Sequence, residues 1–231
     1  GAITGLGVIQ KTGAGTLILT GTNTDNDGGA VISAGTLQIG NGGTSGTLKG
    51  DVSNNGALVF NRSDAVSFAY SIDGSGALTQ AGTGTLTLGF DNSYTGGTTV
   101  SAGTLQVASD EKMGASTGGL ALSGGTLATT ASFTSARAVV LTGTGTLSPA
   151  TGTTLTLSGV ISGTGALSKA GAGTLVLSGT NTYTGGTTVE AGTLQISADA
   201  NLGGTGGLTL NGGTLGTTDS FSSARSVELA S

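Results

Sequence analysis

The sequence has no cysteine, no histidine and no tryptophan, one proline (Pro149), and charged residues at only 8% of its 231 positions. Each absence closes a class of function. Without cysteine there is neither a disulfide framework nor a thiolate nucleophile. Without histidine as well, imidazole-based triads and the common zinc sites are excluded. A cysteine-free chain also fits a protein exported unfolded across two membranes. The few basic residues form no cluster, which argues against nucleic acid and anionic membrane as partners. No apolar run reaches the roughly 18 residues that a membrane-spanning helix needs. Aromatic residues make up 3% of the chain, too few for the large side chains that fill an ordinary compact core. Disorder is excluded by the opposite imbalance, because disordered chains pair low hydropathy with high net charge. Here the net charge is −5, 35% of residues are hydrophobic and the mean hydropathy is +0.24. The chain starts at Gly1 and stops within a pattern at Ser231, and is expected to be a piece of something longer.

What is present is repetition. Gly82–Ala108 reads GTGTLTLGFDNSYTGGTTVSAGTLQVA, and Gly171–Ser197 reads GAGTLVLSGTNTYTGGTTVEAGTLQIS. Gly13–Gly40, GAGTLILTGTNTDNDGGAVISAGTLQIG, is a looser copy. After the two closer copies, Gly118–Leu141 matches Gly206–Leu229, 88 residues later. Inside these long units the tripeptide Gly-(Thr/Ala)-Leu recurs from Gly15 to Gly213, with most steps 19 to 22 residues. Around each marker the apolar residues alternate, as in Leu86/Leu88, Leu155/Leu157, Leu175/Leu177 and Leu194/Ile196. Period 2 bounded by Gly or by Asn55-Gly56 and Asn211-Gly212 is the signature of short half-buried strands.

A unit of about 20 residues holds two or three such strands with their turns, which is one coil of a β-solenoid. One coil cannot bury its apolar face; a neighbour above and below completes it. The fold class expected is therefore all-β, a parallel β-helix with about 20 residues per coil, and residues 1–231 are expected to form a single continuous solenoid segment. At about 4.8 Å per coil, roughly eleven coils would make a rod about 50 Å long. Sandwiches and barrels are disfavoured, since their sheets need bulkier side chains and no near-identical copies at long period. Transmembrane barrels are disfavoured by the lack of aromatic girdles. The one stretch fit for a turn or two of helix is Ala108–Ala115.

The phrases NTYTGGTTVEAGTLQI, NNGALVFNRSD (Asn54–Asp64) and SGTGALSKAGAGTLVLSGTNTYTGGT (Ser162–Thr187) resemble the passenger-associated strand repeat of autotransporter proteins. The resemblance covers essentially the whole chain. It implies a right-handed parallel β-helix, exported through a C-terminal outer-membrane β-barrel of the same polypeptide and displayed on the surface of a Gram-negative bacterium or released from it. It implies adhesion, aggregation or host contact as the activity, with this region as either the adhesive surface or the stalk. It brings no catalytic residues with it.

A search for chemistry leaves no catalytic, cofactor-binding or metal-binding residue expected, and no cofactor. No Gly-rich stretch has the Gly-Lys-Ser/Thr or the strand-to-helix context of a phosphate loop. Asp25-Asn26-Asp27 is the densest oxygen cluster, but calcium needs about six to eight converging oxygens, and the sister copies hold Ser93-Tyr94-Thr95 and Thr182-Tyr183-Thr184 there. A solvated loop is favoured. Parallel β-helices do host polysaccharide lyases and hydrolases, yet the twelve acidic residues are scattered and glycoside hydrolysis needs two facing carboxylates. The chain is expected not to be an enzyme.

Three further sets of residues have a sharp and a bland reading. Arg62, Arg137 and Arg225 are the only arginines, the last two in matching phrases with Phe133 and Phe221 four residues earlier; packing or cation–π contact at a corner is favoured over ligand binding. Tyr94 and Tyr183, with Asn92 and Asn181 two residues before them, read as a carbohydrate- or receptor-facing aromatic row or, the favoured choice, as corner residues with Asn bonding the turn. Thr85/Thr87, Thr98/Thr99 and Thr154/Thr156 hint at an ice-binding face, but Thr is simply a favoured strand residue. The expected protein is a non-enzymatic structural or adhesive rod. Its expected partners are copies of itself or glycans and proteins of other cell surfaces; a pure spacer is the alternative.

Overall fold

The structure, a computed structural model, describes residues 3–23 and 27–230, so Asp25 and Asn26 of the acidic cluster lie outside the described residues. The chain divides into two compact units. The first comprises Gly1–Gln106 and Glu111–Gly118, the second Val107–Asp110 and Gly119–Ser231.

Both units are parallel β-solenoids, and the reason is visible in the register. In the first unit, strands Thr16–Leu19, Thr36–Ile39, Ala57–Phe60 and Ala77–Gln80 pair in parallel so that Leu17, Leu37, Leu58 and Leu78 stand one above another. A second sheet stacks Ile9–Lys11, Ala30–Ile32, Val52–Asn54 and Ile72–Asp73. Thr85–Leu88 pairs with Val66–Phe68 on one side and with the strand beginning at Thr104 on the other. In the second unit, Thr154–Leu157, Thr174–Leu177, Thr193–Ile196 and Thr214–Thr217 align Leu155, Leu175, Leu194 and Leu215. Beside them, Thr126–Thr129, Gly145–Pro149, Leu167–Lys169, Thr187–Val189, Leu208–Leu210 and Val227–Leu229 form another ladder, and Leu120–Leu122, Val139–Leu141 and Ile161–Gly163 a third.

The partners in these ladders lie 19 to 22 residues apart, the spacing of the Gly-(Thr/Ala)-Leu markers. Strand after strand shows the same alternation of half-buried and buried residues, with Thr outward and Leu inward, as at Thr174–Leu177. Each inward Leu, Val or Ile transfers a whole aliphatic side chain from water, worth about 1.5–3 kcal/mol. Neither turn dipeptide makes a hairpin: Asn55-Gly56 joins strands of two different sheets. Ala108–Ala115 contributes one short 3₁₀ turn, Asp110–Met113, and an equivalent turn occupies Asp199–Leu202.

One glycine requirement follows from stacking. Gly203 has φ +80°, and a side chain there would run into the Tyr183 carbonyl and ring of the coil beneath, 2.5 and 3.0 Å from its Cβ. Gly114 stands over Tyr94 in the same way, at φ +84°.

Because Leu175 is fully buried between Leu155 and Leu194, Leu175→Ala should destabilise the chain by about 2–5 kcal/mol. Its outward neighbour, Thr174→Ala, should stay within about 0.5 kcal/mol. Urea unfolding of the two variants measures the difference.

Candidate functional site

A solenoid core is one side chain thick, so any polar group that enters it must find its partner in its own coil or in the coil above or below. The recurrent Asn, Tyr, Lys, Gln and Arg side chains meet that demand, whereas the buried hydroxyls of Thr129 and Ser168 do not, and this decides which polar groups are available to a ligand.

Asn23, Asn92 and Asn181 occupy the same position in the three long copies, and all are buried. Asn92 accepts the Ile72 N–H through Oδ1 at 2.8 Å and donates from Nδ2 to the Lys112 carbonyl at 2.6 Å. Asn181 accepts from the Ile161 N–H at 2.7 Å and donates to the Asn201 carbonyl at 2.6 Å. Asn23 does the same with the Ile3 N–H and the Thr47 carbonyl. Each amide therefore bolts its coil to the one before and the one after. The sequence reading had Asn bonding its own turn; the main partners are 20 to 24 residues away.

Tyr94 and Tyr183 are fully buried, which removes the carbohydrate-facing row and leaves the corner reading. The Tyr94 hydroxyl donates to Thr98 Oγ1 at 2.7 Å, and Thr98 in turn donates to the Met113 carbonyl at 3.1 Å. Tyr183 and Thr187 repeat the contact at 2.6 Å. Burial pushes the Tyr183 phenol up to about 12. Thr98, one of the threonines considered for an ice-binding face, is thus a core residue. The outward row Thr154, Thr174, Thr193 and Thr214 is regular, but the row beside it runs Thr156, Val176, Gln195 and Gly216.

Sequence reasoning passed over Lys11, Gln80 and Lys169, which precede the Gly-x-Gly corner in the same three copies. All are buried. Lys169 Nζ donates to the carbonyls of Ala170, Gly171 and Ala191 at 2.7, 2.8 and 2.9 Å, one for each ammonium proton. Gln80 Nε2 serves the carbonyls of Gly82 and Gly84 at 2.9 and 3.0 Å, and Lys11 Nζ those of Gly13 and Ala34. The signal was present in the sequence as Lys/Gln-x-Gly-x-Gly, a long polar side chain at an inward strand position. Burial lowers the Lys169 ammonium to about 8.

The arginines are structural too, by a mechanism other than aromatic packing. Arg137 Nε donates to Asp110 Oδ1 at 2.8 Å, and a second guanidinium nitrogen donates to the Asp110 carbonyl at 2.9 Å. Arg225 holds Asp199 Oδ1 at 2.8 Å and reaches the carbonyls of Gly203 and Gly206 at 2.7 and 2.8 Å. Each guanidinium therefore clamps the 3₁₀ turn of the preceding coil at its first residue, while the next carbonyl of each turn, Glu111 or Ala200, accepts the main-chain N–H of Asn92 or Asn181. The hydrogen bond from Arg225 holds the Asp199 carboxyl below the usual carboxylate range, helped by one from Ser223. Arg62 is bidentate to Asp64 at 2.9 and 2.6 Å and also donates to the carbonyls of Gly46 and Thr44. Asp64, Asp110 and Asp199 are in this way each held in an ion pair with an arginine. Among the described residues, no group of three or more acidic side chains could hold a metal ion; Asp27 is exposed and lies 3.5 Å from Lys49.

What the first unit does offer is a cavity of about 280 Å³. Its apolar floor is Ile39, Leu48, Phe60 and Phe68; Arg62 and Tyr70 stand at its sides. The rings of Phe60 and Phe68 meet edge-on at 5.4 Å, and those of Phe68 and Tyr70 at 5.6 Å. Of the residues singled out from sequence, only Arg62 is here. Three of the eight Phe and Tyr residues fall within Phe60–Tyr70, outside the long copies, and that clustering was the signal.

Buried Lys169 and half-buried Asp199 generate three predictions. Lys169→Gln should be tolerated, as Gln80 fills the matching position, whereas Lys169→Met strands three carbonyls and should cost about 1–3 kcal/mol or more. The Lys169 amine binds its proton less tightly in the folded than in the unfolded chain, so stability should rise between about pH 8 and pH 10.5. Lys169→Gln should abolish that rise, read as unfolding midpoint against pH. Asp199 behaves oppositely at acid pH. Its folded-state value lies below 3.8, so its contribution is full above that pH and is lost as pH falls through the folded value. Asp199→Asn should flatten the acid limb of the same curve.

Comparison with known proteins agrees with the repeat geometry. The passenger-associated-transport-repeat model matches residues 9–39, 78–107 and 167–196, the three segments that carry Lys/Gln-x-Gly-x-Gly or its following strands. An adhesin of Brucella suis biovar 1 (strain 1330), the BmaC autotransporter, is 44% identical over 144 residues, which is 62% of this chain. The chain spans about 4% of the length of that relative. No solved structure matches it. In its repeats and over 62% of its length, the chain is thus similar to autotransporter passengers that carry the passenger-associated-transport-repeat.

Proposed function

We propose that residues 1–231 are one continuous, non-enzymatic segment of an autotransporter passenger whose outer faces support adhesion or cell–cell aggregation. The observation that carries the reading is the 44% identity to an autotransporter adhesin. An autotransporter passenger is secreted and surface-exposed, anchored to the outer membrane or released. In the whole protein a C-terminal outer-membrane β-barrel would be the partner for export.

The chemistry of the surface supports the same reading. Arg137 and Arg225 are spent on Asp110 and Asp199 of neighbouring coils, and the repeated tyrosines and asparagines are buried. The strand faces left outward are rich in hydroxyl groups and poor in charge, as in the rows Thr16–Thr36 and Thr154–Thr174–Thr193. Such faces bind through many weak contacts, with copies of the chain or with glycans and proteins on another cell.

The test compares bacteria displaying the full-length parent with bacteria in which residues 1–231 are replaced by an unrelated solenoid of equal length. At matched surface expression, cell aggregation and host-cell binding should fall with the replacement. Retained binding would assign this segment the role of spacer.

A further inference from the structure

Three Asn-Gly dipeptides occur in the chain, Asn41-Gly42, Asn55-Gly56 and Asn211-Gly212. This is the pair in which the main chain attacks an asparagine amide most readily, because glycine has no Cβ to hinder the approach of its nitrogen. All three asparagines are exposed, so water reaches each of them.

What separates the three is the glycine N–H. The Gly42 N–H donates to the Asn61 carbonyl at 2.8 Å. The Gly56 N–H donates to Asn54 Oδ1 at 3.2 Å, and Asn54 is itself buried and bonded from Nδ2 to the Ala77 carbonyl at 2.9 Å. The Asn55 amide is held as well, its Oδ1 accepting from the N–H and the hydroxyl of Ser75 at 3.0 and 3.1 Å. At the third dipeptide the N–H groups of Asn211 and Gly213 converge on the Val189 carbonyl at 2.8 and 3.2 Å. Between them the exposed Gly212 N–H, at φ +92°, has no acceptor among the described residues, and the Asn211 side chain makes no hydrogen bond there either.

We propose that Asn211 is a site of spontaneous, water-dependent modification of this chain, from which Asn41 and Asn55 are shielded by the bonds of their glycines. Hydroxide removes the Gly212 amide proton, the freed nitrogen attacks Asn211 Cγ, and the Cγ–Nδ2 bond breaks. Ammonia leaves with a proton from water, which restores the hydroxide. One further water opens the cyclic imide at either carbonyl, to aspartate or to isoaspartate. A hydrogen-bonded glycine N–H enters this path only after its coil opens locally, which lowers the rate by the open fraction. The product disturbs the stack. Leu210 pairs with Val189, so Asn211 follows beside Glu190, and the new carboxylate would stand next to a like charge, which destabilises a ladder. Isoaspartate also inserts one methylene into the main chain between the two N–H groups that share the Val189 carbonyl. The inference stands whether or not the outer faces are adhesive.

The test incubates the 231-residue chain at mildly alkaline pH in heavy-oxygen water and maps its peptides by mass spectrometry. Asn211 should convert to a mixture of aspartate and isoaspartate carrying the heavy oxygen, at least tenfold faster than Asn41 or Asn55. In guanidinium chloride, where the coils are unfolded, that preference should vanish. Equal rates at the three sites in the folded chain, no conversion at Asn211, or the same tenfold preference in the unfolded chain would overturn the proposal. Asn211→Asp should lower the urea midpoint of the native chain and leave that of the Glu190→Gln chain unchanged; an equal loss in both would overturn the pairing with Glu190.

Discussion

Within each unit, a main-chain ladder between residues about 20 apart fixes everything else. Parallel pairing in register places like on like, so the Leu of one coil must sit on the Leu of the next, as Leu155, Leu175 and Leu194 do. A corner that works once must then work again, because the next coil meets the same neighbours. Gly203 over Tyr183 and Gly114 over Tyr94 are the same solution used twice. The repetition of the sequence is the chemical image of this ladder.

The same constraint governs polarity. A core only one residue thick has main-chain groups close to every inward side chain, and wherever a corner or a 3₁₀ turn interrupts the ladder, carbonyls lose their partners. An unpaired buried carbonyl costs about 1–3 kcal/mol. Asn181, Lys169 and Arg225 are three answers of increasing reach: an amide spanning two coils, an ammonium closing a Gly-x-Gly corner, and a guanidinium clamping a longer turn. Lys169 shows the tension in this arrangement, since burial lowers its affinity for a proton even as three carbonyls welcome it.

Function follows from what these bonds leave over. With the strong hydrogen-bonding groups turned inward, the outward strand faces are ladders of threonine and other small side chains, suited to extended contact and offering no concentrated chemistry. The exception is the cavity of the first unit, which Leu48, Phe60, Phe68 and Tyr70 line together with Arg62.

The sequence by itself determined the coil. Its Gly-(Thr/Ala)-Leu spacing, the Leu17/Leu19 type of alternation and the near-identical copies specified parallel strands about 20 residues apart, because the ladder spacing is written in the repeat length. It also made the repeated Tyr94 and Tyr183 corner residues. The partners of the polar residues were decided only by the tertiary structure. Arg137 was read against Phe133, four residues away, but it bonds Asp110, 27 residues back, and no local pattern encodes that distance. Lys169 was invisible as a core residue, since a lone lysine in a strand ordinarily faces water; only the three carbonyls of two successive coils explain its burial. The cavity is likewise a tertiary fact. It is lined by Gly46–Lys49 of one coil and Val66–Tyr70 of the next, a pairing that no single segment reveals.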